Sequence, residues 1–202
     1  ATSSPSGSAS AGGTISVVAS TNVYGDIVKT IGGDHVEVTS LIADESKDPH
    51  EFEATAADQL DVQNAQLLIE NGGGYDPFMA SLKDAAKSTA PLISAVTFSP
   101  EWTGSDPTAA VDGFNEHVFY DPQTIAAVAD EIAKQLGTLD PAAASAFTAN
   151  ATAFRSDIDA KVTPILGDIS KAHSGAEIFV TEPVPLYLAE AAGLKNVTPP
   201  AF

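Results

Sequence analysis

The chain has 202 residues, of which 27 are Asp or Glu and 9 are Lys or Arg, so its formal net charge is −18. A chain this acidic, with Arg155 as its only arginine, lacks the clustered basic residues that bind phosphate backbones. This excludes a nucleic-acid partner, disfavours an anionic membrane surface and favours a cation. The sequence has no cysteine, so any metal must be held by His, Asp, Glu or backbone oxygens.

The first residues, ATSSPSGSASAGG, are small, polar and uncharged, and they predict a flexible tether over residues 1–13. No basic region followed by an apolar run precedes them, so we expect that a secretory signal has already been removed. No segment approaches the ~20 consecutive apolar residues of a membrane-spanning helix.

Residues 14–121 predict an N-terminal α/β lobe. Short apolar or alternating segments predict strands, and segments of helical period predict the helices between them. Asn22 and Thr55 are expected to cap the first two helices. The strands are expected at 14–20, 35–42, 66–70 and 92–96, and the helices at 22–31, 55–65 and 77–88. Such alternation is typical of parallel βαβ units, in which loops at the carboxyl ends of strands bind ligands.

Residues 122–172 predict a helical segment. Pro122 can open a helix to about Leu136, and the Asp140-Pro141 pair is typical of the start of another helix. This second helix is expected to continue to residue 172, about 45 Å at 1.5 Å per residue, with a kink or interruption at Pro164. A helix of this length could bridge two lobes.

Residues 173–202 predict the start of a C-terminal α/β lobe, with strands at 176–181 and 195–198 around a helix at 183–193. About 30 residues cannot enclose a core of their own, so we expect this lobe to be truncated or completed by another chain. The predicted fold class is therefore α/β, with two lobes of parallel sheet flanked by helices and joined by one long helix.

Four histidines are the first candidates for metal ligands. His35 starts a predicted strand and His173 ends the long helix, positions that favour structural roles. His50 and His117 lie in short loops rich in acidic residues and proline, and only the fold could bring them together. Taken singly, each is more typical of a surface histidine. Glu182 follows a predicted strand, where it could face a crevice or simply complement a helix dipole.

Three motifs in order resemble those of the cluster A-I metal-binding receptors, the extracytoplasmic solute-binding proteins of zinc and manganese ABC transporters. They are DPHEFE (48–53), NEHVFYDP (115–122) and VTEPVPLYLAEAAGL (180–194), and the likeness extends from about residue 15 to residue 202. The resemblance implies two α/β lobes with a metal between them, held by His50, His117 and Glu182.

The sequence departs from the family pattern in three respects. Glu116 stands where the family usually has proline, a change that is not expected to disturb the neighbouring ligand. The histidine-rich loop of many zinc-binding members is absent, since residues 99–116 contain no histidine. The family's fourth ligand, an Asp or Glu of the C-terminal lobe, is expected beyond Phe202.

The function implied by the resemblance is capture of Zn(II) or Mn(II) for an ABC permease. A carboxylate in place of a third histidine favours Mn(II), whereas the Irving–Williams order favours Zn(II). The chain is expected to be a monomeric binding protein without catalytic residues, tethered as a lipoprotein in the periplasm or on the cell surface. Two alternatives remain: a metal-dependent hydrolase with Glu51 or Glu116 as general base, and an adhesion module with a structural metal.

Overall fold

The computed structural model describes residues 13–44 and 46–199. The tether expected over residues 1–13 lies outside the described residues except for Gly13, as do the last three residues of the C-terminal segment. The strands are β1 (Ile15–Thr21), β2 (Val36–Ile42), β3 (Leu67–Glu70), β4 (Leu92–Ser94), β5 (Glu177–Ile178) and β6 (Lys195–Asn196). The helices are α1 (Asn22–Gly32), α2 (Ala56–Asn64), α3 (Phe78–Ala86), α4 (Pro122–Leu139), α5 (Ala144–Asp157), α6 (Thr163–His173) and α7 (Leu186–Ala191).

The first four strands form one parallel sheet in the order β2-β1-β3-β4. Val17 of β1 is paired with Val38 of β2 on one side and with Leu67 of β3 on the other. The chain leaves β1 for β2 on one side and returns to β3 on the opposite side. The carboxyl ends of β1 and β3 therefore form the switch point at which open α/β sheets bind ligands.

Helices cover both faces of this sheet. Val17 and Ala19 of β1 pack towards α1, α4 and α5, in a core that includes Phe147 of α5. Val18 points to the other face, where Leu68 and Met79 join it beneath α2 and α3. Burial on both faces explains why β1 reads as a nearly continuous apolar segment, ISVVAST, instead of an alternating one.

The helix starts follow the predicted signals only in part. Thr55 caps α2 as predicted, and it forms a capping box in which Asp58 Oδ2 accepts a hydrogen bond from Thr55 N at 2.7 Å. The predicted cap at Asn22 is wrong, because Thr21 is the last extended residue and Asn22 already belongs to α1. β4 is also shorter than predicted, since a 3-10 turn begins at Ala95.

The long helical segment consists of α5, a π-helical turn over Ile158–Val162, and α6. It starts at Ala144 instead of Asp140, because Asp140 still closes α4 through its N–H bond to Leu136 O at 2.8 Å. The predicted interruption near Pro164 is confirmed, since a proline cannot donate to the preceding turn and the π turn lies directly before it. Arg155 pairs with Asp130 of α4.

The C-terminal part contains a second parallel sheet of two short strands, β5 and β6, with α7 between them in sequence. β5 is two residues long where six were predicted. Helix α6 packs against α7, whereas α5 packs against α1 and α4, so the helical segment links the two parts of the molecule. Within the described residues, no helix combines the length and apolar character that crossing a membrane requires.

Candidate metal centre

His50 lies on the loop that follows β2, in a 3-10 turn over Pro49–Glu51. Asp48 precedes the turn and its Oδ1 accepts a hydrogen bond from His50 N at 2.9 Å. Pro49 occupies the first position of the turn, where its missing N–H costs nothing. The Asp-Pro pair thus fixes the backbone at His50, while 45% of the imidazole side chain remains exposed.

His117 lies just before α4, at the start of a 3-10 turn over Val118–Tyr120. Its side chain is only 9% exposed. The imidazole meets the rings of Tyr75 and Phe119 edge-on, with centroid separations of 5.6 and 5.8 Å. Tyr75 also contacts the His50 ring at 5.3 Å. One tyrosine therefore packs against both histidines and holds them on the same side of the crevice.

A third side chain, Glu116, joins the two histidines. One ligand atom from each of His50, Glu116 and His117 lies within 4.8 Å of the other two. Glu116 Oε1 is 4.0 Å from His50 Nε2 and 3.9 Å from His117 Nδ1. Two imidazole nitrogens and a carboxylate oxygen are the donors that Zn(II), Mn(II) and related divalent ions accept in proteins.

Glu182 lies across the crevice on the loop between β5 and α7. It is exposed and lines, together with the three-residue group, a cavity of about 560 Å³. It is not a member of the group within 4.8 Å, but its negative charge acts on the His117 imidazole. The predicted ligand from the C-terminal part therefore faces the same cavity as the two histidines.

Asn115 connects the two sides of this cavity. Its Oδ1 lies 2.8 Å from His117 Nδ1, and its Nδ2 donates to Pro183 O at 3.0 Å, next to Glu182. Tyr187 of α7 donates its hydroxyl to Asn115 O at 2.6 Å. Since Oδ1 can only accept, His117 carries its proton on Nδ1, which leaves Nε2 free to bind a metal.

A buried network behind β3 supports the site. Asn71 donates Nδ2 to Glu116 O at 2.8 Å, and its Oδ1 accepts from Tyr24 at 2.5 Å. Asp76 accepts from Asn71 N at 2.7 Å and from Gly72 N at 2.8 Å. Gly72 has a φ of +80°, and a Cβ there would lie 2.6 Å from Pro107 O. Only glycine lets the chain turn here.

Burial lowers the pKa of the His117 imidazole. The Glu116 carboxylate opposes this effect, the His50 imidazole reinforces it and the Glu182 carboxylate opposes it. His117 is therefore neutral at pH 7 and able to act as a ligand.

The structure brings together two of the three predicted ligands, His50 and His117, and places Glu182 on the facing wall. The other two histidines lie elsewhere: His35 is 3.2 Å from Asp140 Oδ2, and His173 is the last residue of α6. Sequence reasoning did not identify Glu116 as a possible ligand. The available signal was its position directly before His117, where it replaces the proline usual in the family it resembles.

Comparison with known proteins identifies the family of the chain. The family model described as ZnuA, zinc-uptake complex component A, periplasmic, matches residues 17–202. The chain belongs to this family. The family is composed of solute-binding proteins, and the resemblance deduced from the three motifs is confirmed.

Two relatives illustrate the range of metals in the names of family members. The manganese-binding lipoprotein MntA of Halalkalibacterium halodurans is 24% identical over 91% of this chain and 59% of its own length. The iron-binding protein YfeA of Yersinia pestis is 28% identical over 90% of this chain and 58% of its own. The chain therefore spans less than two thirds of the length of these relatives.

A solved structure supports the fold. The metal-dependent lipoprotein YcdH from Bacillus subtilis superimposes with a TM-score of 0.78, at 20% identity, over 93% of this chain and 68% of that one. The predicted α/β class, with parallel sheets flanked by helices and a long helical segment, is confirmed.

Proposed function

We propose that the chain is the metal-capturing region of an extracytoplasmic solute-binding protein that delivers Zn(II) or Mn(II) to an ABC-type importer. The observation that carries this proposal is the meeting of His50, Glu116 and His117 within 4.8 Å at the carboxyl ends of the strands. Membership of the family supports the transport interpretation over the hydrolase and adhesion alternatives.

The ligands in this proposal are His50 and His117 from the first lobe and Glu182 from the second. The first lobe comprises residues 14–121, the connecting helical segment residues 122–172, and the second lobe begins at residue 173. Glu182 closes on the ion from the opposite wall, and the hydrogen bond from Asn115 to Pro183 O holds that wall in place.

The proposed site binds and releases its metal without catalysing a reaction. A hydrolase needs a coordination position left open for water, beside a general base. The two acidic candidates for that base differ in position: Glu51 is exposed on the His50 turn and does not line the main cavity, while Glu116 points at both histidines.

The names of the relatives support the proposed location and partner. MntA is named a manganese-binding lipoprotein, and SloC of Streptococcus mutans a metal ABC transporter substrate-binding lipoprotein. We therefore expect this protein to be tethered outside the cytoplasm, as a monomer, and to dock on a membrane permease.

The test is metal analysis of the chain purified without chelator, followed by titration calorimetry with Zn(II) and Mn(II). We expect one ion per chain. His50→Ala should weaken binding by at least about 100-fold, more than the 10–100-fold typical of outer-shell changes. His35→Ala is the matched control, since His35 lies away from the cavity, and it should bind like wild type. Failure of the wild-type chain to bind either ion would refute the proposal.

A further inference from the structure

We infer that Glu116 is a direct metal ligand, so that the first lobe alone supplies three donors. This inference rests on the proposed function and extends it. Nothing in the motif that resembles the family's second-histidine segment assigns a ligand to this position, where proline is usual.

The first support is distance. Glu116 Oε1 lies 4.0 Å from His50 Nε2, beyond the range of about 2.7–3.2 Å for a hydrogen bond. Metal bonds to nitrogen and oxygen measure about 2.0–2.2 Å, so two donors on one ion lie at most about 4.4 Å apart. The separation between Glu116 and His50 therefore suits a shared ion and excludes a direct hydrogen bond.

The second support is orientation. The backbone carbonyl of Glu116 accepts from Asn71 Nδ2 at 2.8 Å and from Val118 N at 2.7 Å. Asn71 is fully buried and is itself held by Tyr24 and Asp76. These bonds fix the backbone from behind. The side chain lines the cavity and is 24% exposed.

The third support is charge. Among the residues that the structure describes, the two histidines are the only ionic partners of Glu116 within 4.0 Å. Lys47 lines the same cavity, but its ammonium lies 5.6 Å from the centre of the Phe52 ring. The Glu116 carboxylate is thus partly buried beside two imidazoles, without a basic side chain to balance it. A divalent cation would supply that balance.

A third ligand from the first lobe would affect both the order in which the ligands bind the ion and the choice of metal. His50, Glu116 and His117 all belong to loops of the first lobe, so an ion can be held by three donors before Glu182 reaches it. Two carboxylates beside the two imidazoles make a harder donor set than a single carboxylate does. This set shifts the preference towards Mn(II) or Fe(II) and away from Zn(II), relative to a site without Glu116.

The absence of cysteine from the sequence allows a direct test. In Glu116→Cys, a thiolate bound to Co(II) should produce a sulfur-to-cobalt charge-transfer absorption in the near ultraviolet, with one equivalent bound. Glu51→Cys is the matched control, because Glu51 is also an acidic neighbour of a ligand histidine but lies outside the group. Neither this control nor the wild-type chain should show the band.

A second variant tests the role of Glu116 without introducing a thiol. Glu116→Gln preserves shape and removes the charge, and it should weaken Mn(II) binding by more than about 100-fold and Zn(II) binding less, while Glu51→Gln leaves both unchanged. Because the Glu116 side chain makes no hydrogen bond within the described residues, both variants should keep the wild-type circular dichroism spectrum.

The outcomes separate this inference from the proposed function. If Glu116→Gln binds Mn(II) within threefold of wild type and Glu116→Cys binds Co(II) without the band, Glu116 is not a ligand. The proposed function then still stands, provided that His50→Ala loses the metal. If the wild-type chain binds no divalent ion at all, both fail.

Discussion

Glu70 is expected to make the stability of this fold depend on pH. It ends β3, only 1% of it is exposed, and its Oε1 accepts a hydrogen bond from Ser94 at 2.7 Å. Burial raises the pKa of Glu70 from 4.5 to about 8, with a further rise from the Asp76 carboxylate. The folded protein therefore keeps a proton on Glu70 that the unfolded chain releases near pH 4.5.

Because proton binding and folding are linked, the raised pKa of Glu70 determines how the free energy of unfolding changes with pH. Between pH 4.5 and 8 the folded state binds more protons than the unfolded state, so the free energy of unfolding falls as the pH rises. The stabilisation by the protonated form is complete below pH 4.5 and is lost as the pH rises to 8. At about 1.4 kcal/mol per pH unit, the loss over this interval is about 5 kcal/mol at most.

The change that tests this is Glu70→Gln, which is neutral at every pH and keeps an oxygen acceptor for Ser94. Urea unfolding in the presence of chelator, followed by circular dichroism from pH 5 to pH 8, gives the free energy of unfolding of both proteins. As the pH rises from 5 to 8, the free energy of unfolding of the variant should increase by several kcal/mol relative to that of wild type. Glu37→Gln, the same change at an exposed position of β2, should not. A wild-type-to-variant difference that stays constant with pH would refute the reasoning.

Three further predictions concern the cavity. Asn115→Ala removes the acceptor for His117 Nδ1, so metal affinity measured by calorimetry should fall about 10–100-fold, whereas Asn115→Asp, which keeps an acceptor, should lose less. Affinity should also fall as the pH is lowered from 7.5 to 5.0, because only a neutral imidazole can bind the metal, and an affinity that does not change over this range would contradict this. Tyr187→Phe removes the 2.6 Å bond to Asn115 O and should lower stability by about 1 kcal/mol in urea unfolding, with the helix content unchanged.

The strands and helices of the first lobe could be predicted because hydrophobic period and turn residues determine them locally. β1 and β3 are buried on both faces, and their continuous apolar segments were sufficient. Boundaries depended on tertiary contacts that no local pattern contains. Asp140 and Pro141 are typical of a helix start, yet Asp140 remains bonded to α4 and contacts His35 of the first lobe.

The candidate site could be predicted only as far as its motifs extend. The loops carrying His50 and His117 follow from proline and acidic residues close in sequence, and their meeting follows from the parallel order of the strands. The direction of the Glu116 side chain does not follow from either. An acidic residue beside a histidine is ordinarily a solvated surface group, and its role here depends on the buried amide of Asn71, 45 residues away.

The candidate ligands are divided unequally between the two lobes. Three candidate ligands lie on loops of the first lobe, which a large core and the Asn71 network hold in place, while Glu182 lies on a loop beside a two-stranded sheet. In the proposed function, release of the ion therefore requires the wall that carries Glu182 to withdraw from the first lobe. Withdrawal of that wall breaks the Asn115 bond to Pro183 O and removes the Glu182 charge together. In the proposed function, the ion would then be held by the first lobe alone and exposed on the side that Glu182 had covered.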